Sequence, residues 1–313
     1  MHPRFLASGR RLGTLAGLFG LCLLLWILTP HFLTVSNLLN VLEQTAINAV
    51  IAAGMTFVII SGGIDLSVGS LVALSGVVLG TLLHDGLPMP VAIAAALGVG
   101  FLFGVLNGLA ITWGRLPPFI ATLGMMSVAR GCALLFTDGR PVSGFDAGFR
   151  NLATARIAGI PAPVLVAIGV YLVAWFVLSK TRFGRYVYAI GGNEEATRLS
   201  GVNVRLHKMC VYGVSGLASA VAAVLLTSRL NSAQPIAGIM YELDAIAATV
   251  IGGTSLMGGE GGLGGTIIGA LIMGVLRNGL NLLGVSSFVQ QIVIGLVIVF
   301  AVLIDTALKS RRN

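Results

Sequence analysis

Long apolar runs, separated by short polar or glycine-rich interruptions, follow one another along nearly the whole chain. A helix needs about 20 mainly apolar residues to cross the hydrocarbon core of a bilayer. By that measure candidate spans fall near residues 12–29, 45–61, 66–83, 91–112 and 119–136, then 161–179, 209–227, 241–257, 265–283 and 287–307. The pattern predicts an all-α, polytopic membrane helix bundle of about ten transmembrane helices. Glycine-rich bends join the second span to the third and the eighth to the ninth, so either pair reads as broken or re-entrant helices as well as full crossings. Backbone groups freed at such breaks are tolerated only where protein or a water-filled cavity satisfies them.

Composition agrees. Of the 313 residues, 56% are hydrophobic and only 10% charged, against about 25% charged in a soluble domain. Too little polar surface remains to cover a water-soluble fold, and the unbroken succession of spans predicts one membrane domain over 1–313. The net charge of +8 follows membrane topology and lacks the aromatic interleaving of a nucleic-acid surface, so no nucleic-acid partner is expected. With the N-terminus inside, Arg4, Arg10, Arg11, Arg115, the basic loop at 180–208 and the tail with Lys309, Arg311 and Arg312 share the cytoplasmic side. That bias predicts both termini in the cytoplasm. Arg140, Arg150, Arg156 and Arg229 fall outside. The basic start and apolar stretch at 12–28 read as an uncleaved first helix, since no small-residue cleavage site follows. Cys22, Cys132 and Cys210 share no ligand spacing and read as small core residues.

Most of the 43 glycines lie inside spans, where small residues let backbones approach, as at Gly100 and Gly104 or Gly265 and Gly269. In ISGGIDLSVGS, Asp65 is placed to cap the helix that follows. With Ser67 it is also a candidate for lining a solute path, since ionisable groups in membranes usually face a cavity. A related pattern recurs downstream: Gly62, Gly63, Leu66 and Gly69 match Gly252, Gly253, Leu256 and Gly259 in spacing. Gly259, Gly261 and Gly264 also fit G-x-G-x-x-G, but no βαβ unit surrounds them and no Lys-Ser or Lys-Thr follows. The chain therefore carries no nucleotide site, and any ATP belongs to another subunit.

Within 180–208, Asn193 reads as an N-cap, Glu194 and Glu195 sit in a first turn that favours negative charge, and Gly201 suits the left-handed stop. So short a helix needs a docking surface, either the lipid headgroups or a cytoplasmic partner. Arg277 and Asn281, four residues apart, form a polar stripe that could face a pathway. Interhelical structure is the favoured reading for Arg130 and Arg277, and dipole compensation for Glu242 and Asp244. The outer loop at 137–161, with Arg140, Asp146, Arg150 and Arg156, is suited to an external partner. No catalytic triad, metal-ligand spacing or paired cysteine appears, so an intramembrane enzyme is not expected.

Three stretches together carry a resemblance: GMTFVIISGGIDLSVGSLVALSG, RFGRYVYAIGGNEEATRLSGVNV and YELDAIAATVIGGTSLMGGEGGLGGTIIGALIMGVLRNGLNLLGVSS. They resemble the branched-chain amino acid/sugar ABC permease family, in its ribose, xylose and autoinducer-2 branch, and most of all its ribose permeases. The likeness runs from the second span to the last, with Arg277 and Asn278 where that stretch has two asparagines. It implies a homodimer of permease subunits, cytoplasmic ATP-binding subunits that hold ATP and Mg, and a periplasmic sugar-binding protein, all at the inner membrane. This chain would bind no cofactor. The resemblance assigns the ATPase-coupling helix to Gly192, Asn193, Glu194, Glu195, Ala196, Arg198, Leu199 and Gly201. Ribose is the implied sugar, with xylose, another monosaccharide or autoinducer-2 as alternatives, because selectivity in such systems rests largely with the binding protein. An ion-coupled secondary transporter is the rival class, but apart from Asp65 the spans offer few acidic groups for a coupling ion.

Overall fold

The computed structural model describes residues 3–310, with side chains from residue 13 to residue 300 and at Val302 and Leu303. The terminal basic side chains on which sidedness was read, Arg4, Arg10, Arg11, Lys309, Arg311 and Arg312, lie outside the described residues.

The elements run α1 (Pro3–Leu28), α2 (Val35–Ile60), α3 (Val68–His84), α4 (Met89–Thr112), α5 (Pro118–Phe136), β1 (Val142–Ser143), α6 (Ala147–Thr154), β2 (Arg156–Ile157), β3 (Ile160–Pro161), α7 (Ala162–Lys180), α8 (Arg182–Gly192), α9 (Glu194–Leu199), α10 (Val204–Leu230), β4 (Ser232–Ala233), α11 (Tyr241–Ile251), α12 (Leu263–Leu282) and α13 (Ser287–Ser310). Among the described residues six helices are long and apolar enough to cross a membrane: α2, α4, α5, α7, α10 and α12. α1, α3 and α13 carry shorter apolar stretches. The fold is an all-α bundle, with only the two-residue ladders β1–β4 and β2–β3 besides.

Helices α2 and α10 form the centre. Residues 49–60 of α2 are buried on every side, as expected of a helix apolar all round. Around this centre α4, α5 and α7 turn Phe101, Leu102, Phe119, Ile120, Leu172, Val173 and Phe176 outward. A broad exposed apolar belt of this kind is what lipid would cover. Pro90, Pro118 and Pro163 stand in the first turns of α4, α5 and α7, where a missing N–H costs no hydrogen bond.

The central seam is built from glycine. Gly100, Gly104 and Gly108 of α4 lie directly on the backbone of α10, where a Cβ would strike the carbonyl oxygens of Gly216 and Tyr212 and the Cα of Met209. Gly265 and Gly269 of α12 meet Gly252, just past the end of α11, and Ala248 of α11 in the same way. The paired small residues thus serve the close helix contacts expected of them.

One end of the bundle carries α8, α9, the α4–α5 turn and the two helix breaks at 61–67 and 252–262. The other carries β1–β4, α6 and the β2–β3 ladder. Phe149 of α6 is buried, and Ser228 Oγ of α10 donates to its carbonyl at 2.7 Å.

Several boundaries differ from the sequence reading. The span expected at 45–61 starts ten residues earlier, at Val35, capped by the Thr34 side chain. Its polar first turns are paid for by tertiary partners: Asn37 and Asn278 exchange side-chain hydrogen bonds of 3.0 and 2.8 Å, and Glu43 pairs with Arg229 at 3.2 Å. The span expected at 241–257 is helical only over the 11 residues of α11, about 16 Å at 1.5 Å per residue. That is half of a hydrocarbon core of about 30 Å. The preceding 231–240 is non-helical and runs inward against α3, with Gly69 seated on Gly238. The outer loop contains α6 and a short ladder that periodicity did not suggest.

The seam sets a test. Gly104→Val in α4 should lower the melting temperature of the purified protein, since overpacking costs about 1–3 kcal/mol. Gly98→Ala on the same helix, with nothing within 4 Å, should leave the melting temperature unchanged.

Candidate functional site

Three polar constructions interrupt the apolar bundle. The first surrounds Asp65. Its carboxylate accepts from the Ser67 N–H at 3.0 Å, the Ser67 hydroxyl at 2.6 Å and the Ser215 hydroxyl of α10 at 2.8 Å. Asn107 of α4 donates to the Ser67 hydroxyl at 2.8 Å, and the Thr122 hydroxyl of α5 donates to the Ile64 carbonyl at 3.2 Å. Asp65 and Ser67 are fully buried. The helix cap is Ser67, two residues on from the position expected. Asp65 instead folds the extended segment before α3 and ties it to α4 and α10. Asp65 and Ser67, two of the four candidate path residues, thus sit in a closed network inside the chain.

The second construction holds the half-helix α11. Arg277 Nη2 of α12 donates to both carboxylate oxygens of Asp244, at 2.8 and 2.7 Å, and Asn48 of α2 reaches the same carboxylate at 3.4 Å. Asp244 is 1% exposed. This is the interhelical role expected for Arg277. Asn281 does not join it; at the α12–α13 turn it accepts from Gln290 at 2.8 Å. The polar stripe seen in the sequence therefore divides between two neighbours.

Beside α11 lies a pocket that sequence reasoning missed. Ser70 at the start of α3, Met126, Ser127 and Arg130 of α5, Ile239 just before α11 and Glu242 in its first turn line an open pocket of about 250 Å³. Met126 and Ser127 stand at the midpoint of α5. Arg130 Nη1 donates to the carbonyls of Pro235 and Ala237 at 2.7 and 2.8 Å, holding the non-helical entry to α11. The signal was present as two charges of opposite sign inside spans, each assigned separately to local structure.

The third construction joins the breaks to the polar end. The Gly259 N–H donates to the Ile60 carbonyl at 2.8 Å, so the two glycine-rich breaks, noted for their matching spacing, meet each other. Gly191, near the end of α8, is wedged into that meeting: a Cβ there would strike the Ile60 carbonyl and the Gly259 nitrogen. The Tyr188 hydroxyl of α8 donates to the Gly261 carbonyl at 2.9 Å. α9 follows at once. Asn193 caps it by accepting from the Ala196 N–H at 2.9 Å, and Gly201 takes φ +84° just beyond its end, as the residue types required. Gly192 ends α8, and Glu194 pairs with Lys208 of α10. Arg198 pairs with Glu195 at 2.6 Å, and its hydrogen bond holds the Glu195 carboxyl below the usual range. Leu199 is 75% exposed, an apolar side chain turned to solvent beside polar neighbours. At the opposite end Arg140, Asp146, Arg150 and Arg156 are all exposed. Among the described residues no His, Cys, Asp and Glu cluster has the arrangement to hold a metal ion.

Comparison with known proteins gives a consistent result. Residues 37–302 match the family model described as branched-chain amino acid transport system / permease component. The chain is 51% identical over 298 residues to the ribose import permease protein RbsC of Bacillus subtilis, covering 95% of this chain and 92% of that one. It is 50% identical over 311 residues to the protein of the same name from Escherichia coli, with coverages of 95% and 97%. The Haemophilus influenzae counterpart is 50% identical over 290 residues, with coverages of 91% and 90%.

The α11 anchor yields a second test. Arg277→Met strands the buried Asp244 carboxylate and should destabilise the protein by about 3–5 kcal/mol. Adding Asp244→Leu should recover much of the loss, read as thermal unfolding of both variants in detergent.

Proposed function

The chain belongs to the family of permease components of branched-chain amino acid transport systems, and we propose that it is the membrane-spanning subunit of an ATP-driven importer carrying ribose across the inner membrane. Three relatives at about half identity, from three bacteria, are ribose import permeases, which favours ribose over xylose, another monosaccharide or autoinducer-2. The chain is a permease component and not an enzyme; sugar passes through it chemically unchanged.

On this reading residues 1–313 form one transmembrane permease domain that crosses ten times, with both termini in the cytoplasm. The stretch 231–240 and the half-helix α11 make up one of those crossings between them. Two copies pair to enclose the path. A periplasmic sugar-binding protein docks on the end bearing α6 and the exposed Arg140, Asp146, Arg150 and Arg156. ATP-binding subunits, which alone hold ATP and Mg, dock on the cytoplasmic end at α8 and α9.

The seating of Gly191 between the two helix breaks carries the reading. A permease with no nucleotide site of its own must receive the work of ATP hydrolysis as movement. α9 offers the exposed Leu199 to a partner. α8 runs directly into α9 through Asn193, and touches the Ile60 carbonyl, Gly259 and Gly261 within one turn. A rigid-body shift of α8 and α9 therefore displaces both breaks at once, and with them the inner ends of α3 and α11.

Two measurements check this. Ribose uptake in cells carrying the gene should exceed that in cells lacking it and should survive an uncoupler while ATP is maintained; loss with the uncoupler would indicate an ion-coupled transporter. Leu199→Asp should reduce co-purification of the ATP-binding subunit about tenfold, in line with the loss of one well-packed apolar contact, while leaving the amount of permease in the membrane unaltered.

A further inference from the structure

The pocket beside α11 differs from the Asp65 and Asp244 sites. Asp65 is closed off by Ser67 and Ser215, and Asp244 by Arg277 and Asn48. Arg130 and Glu242, by contrast, border an open space beside the midpoint of α5. They attract each other electrostatically, and the Glu242 carboxylate also accepts from the backbone N–H groups of Met240 and Glu242. Such charges are costly against lipid and mark solute pathways when they face a cavity.

We propose that this pocket is a transit site for a neutral polyol. The inference rests on the import reading above. A carboxylate has about four acceptor sites. The backbone N–H groups of Met240 and Glu242 use part of that capacity on Glu242, and the remainder suits hydroxyls of one sugar. A guanidinium has five N–H donors. Arg130 spends Nη1 on the Pro235 and Ala237 carbonyls, and Nε and Nη2 are left to donate to sugar oxygens. Ser70 and Ser127 add hydroxyls, while Met126 and Ile239 offer apolar surface to the C–H groups of the ring.

The pairing of signs selects the class of solute. An anion would be repelled by Glu242 and a cation by Arg130, whereas a hydroxyl-rich neutral molecule satisfies both. The size agrees: about 250 Å³ lies just under the roughly 300–1,000 Å³ typical of drug-sized ligands. No aromatic ring lines the pocket to add stacking. Weak holding is what a transit site needs, since a solute bound too tightly would not leave. The pocket also spans the starts of α3 and α11, the two elements continuous with the breaks that α8 touches, so movement of α8 alters its width.

The test uses the whole transporter, permease with its ATP-binding subunit, in lipid vesicles supplied with ribose-loaded binding protein. Glu242→Gln keeps the shape and removes the charge. Ribose uptake at saturating binding protein should fall about tenfold, the loss of one charge-assisted hydrogen bond, and ATP hydrolysed per ribose delivered should rise in the same proportion. The concentration of binding protein giving half-maximal uptake should not move. Met126→Trp, at the pocket wall, should raise the same ratio by filling the space. Wild-type ratios in both variants would overturn the transit site alone. So would uptake and hydrolysis falling together at a constant ratio, which marks a structural role. Wild-type vesicles that import no ribose would overturn the import reading and the site with it.

Discussion

Away from water, every peptide group released where a helix stops must find another partner, and the architecture of this bundle follows from how that is done. A group left unsatisfied costs several kcal/mol in hydrocarbon. The chain stops helices inside the bundle at Ile60 and Ile251 and starts one there at Tyr241. Each stop is met by a particular side chain or strand of backbone. Asp65 takes the Ser67 N–H, Thr122 reaches the Ile64 carbonyl, Arg130 covers Pro235 and Ala237, and Tyr188 covers Gly261. The Gly259 N–H and the Ile60 carbonyl satisfy each other. The breaks are therefore neither loose nor independent. Satisfying them requires α5, α8 and the two interrupted helices to converge, and that convergence is what brings the connector formed by α8 and α9 into contact with both breaks.

Much of this was legible beforehand because lipid leaves few choices. Runs of about twenty apolar residues have one common fate, so the ten expected segments correspond in order to helices. α9 was readable from Asn193, the two glutamates and Gly201 because capping is a local affair, settled within one turn. What escaped was long-range. The early start of α2 depends on Asn278 and Arg229, both nearly two hundred residues or more away along the chain, and no local window contains them. The shortness of α11 was foreshadowed by the glycine-rich bend after Ile251, which allowed a broken helix as well as a full crossing. Its late start at Tyr241, by contrast, depends on α3 and Arg130 packing against the preceding segment. The pocket was missed because Arg130 and Glu242, each plausible as a snorkelling or dipole-compensating charge, acquire a joint meaning only when α5 and α11 are set side by side.

Charge is used in two distinct ways in this protein. The Asp65 and Asp244 carboxylates are buried, each oxygen of each accepting a hydrogen bond from a neighbouring side chain, and they hold non-helical or half-helical chain in one place. Arg130 belongs to both uses: one nitrogen fastens the entry to α11, and the rest of the guanidinium borders open space. Replacing it by lysine would keep the charge but lose the planar fork that lets one side chain serve two masters.

The glycine seam between α4 and α10 bears on how the molecule is made. α4 ends at Thr112 and α10 begins at Val204, and at about 5–20 residues per second the ribosome needs roughly 5–20 s to bridge the interval. For that time Gly100, Gly104 and Gly108 face lipid along a strip with no side chains to fill it, while α5 and α7 are laid down around an incomplete middle. The α4–α10 seam thus closes only when α10 emerges, and α11 and α12 follow it to cover α2. Until α10 emerges, the half-built protein carries an open seam that membrane chaperones and proteases can find.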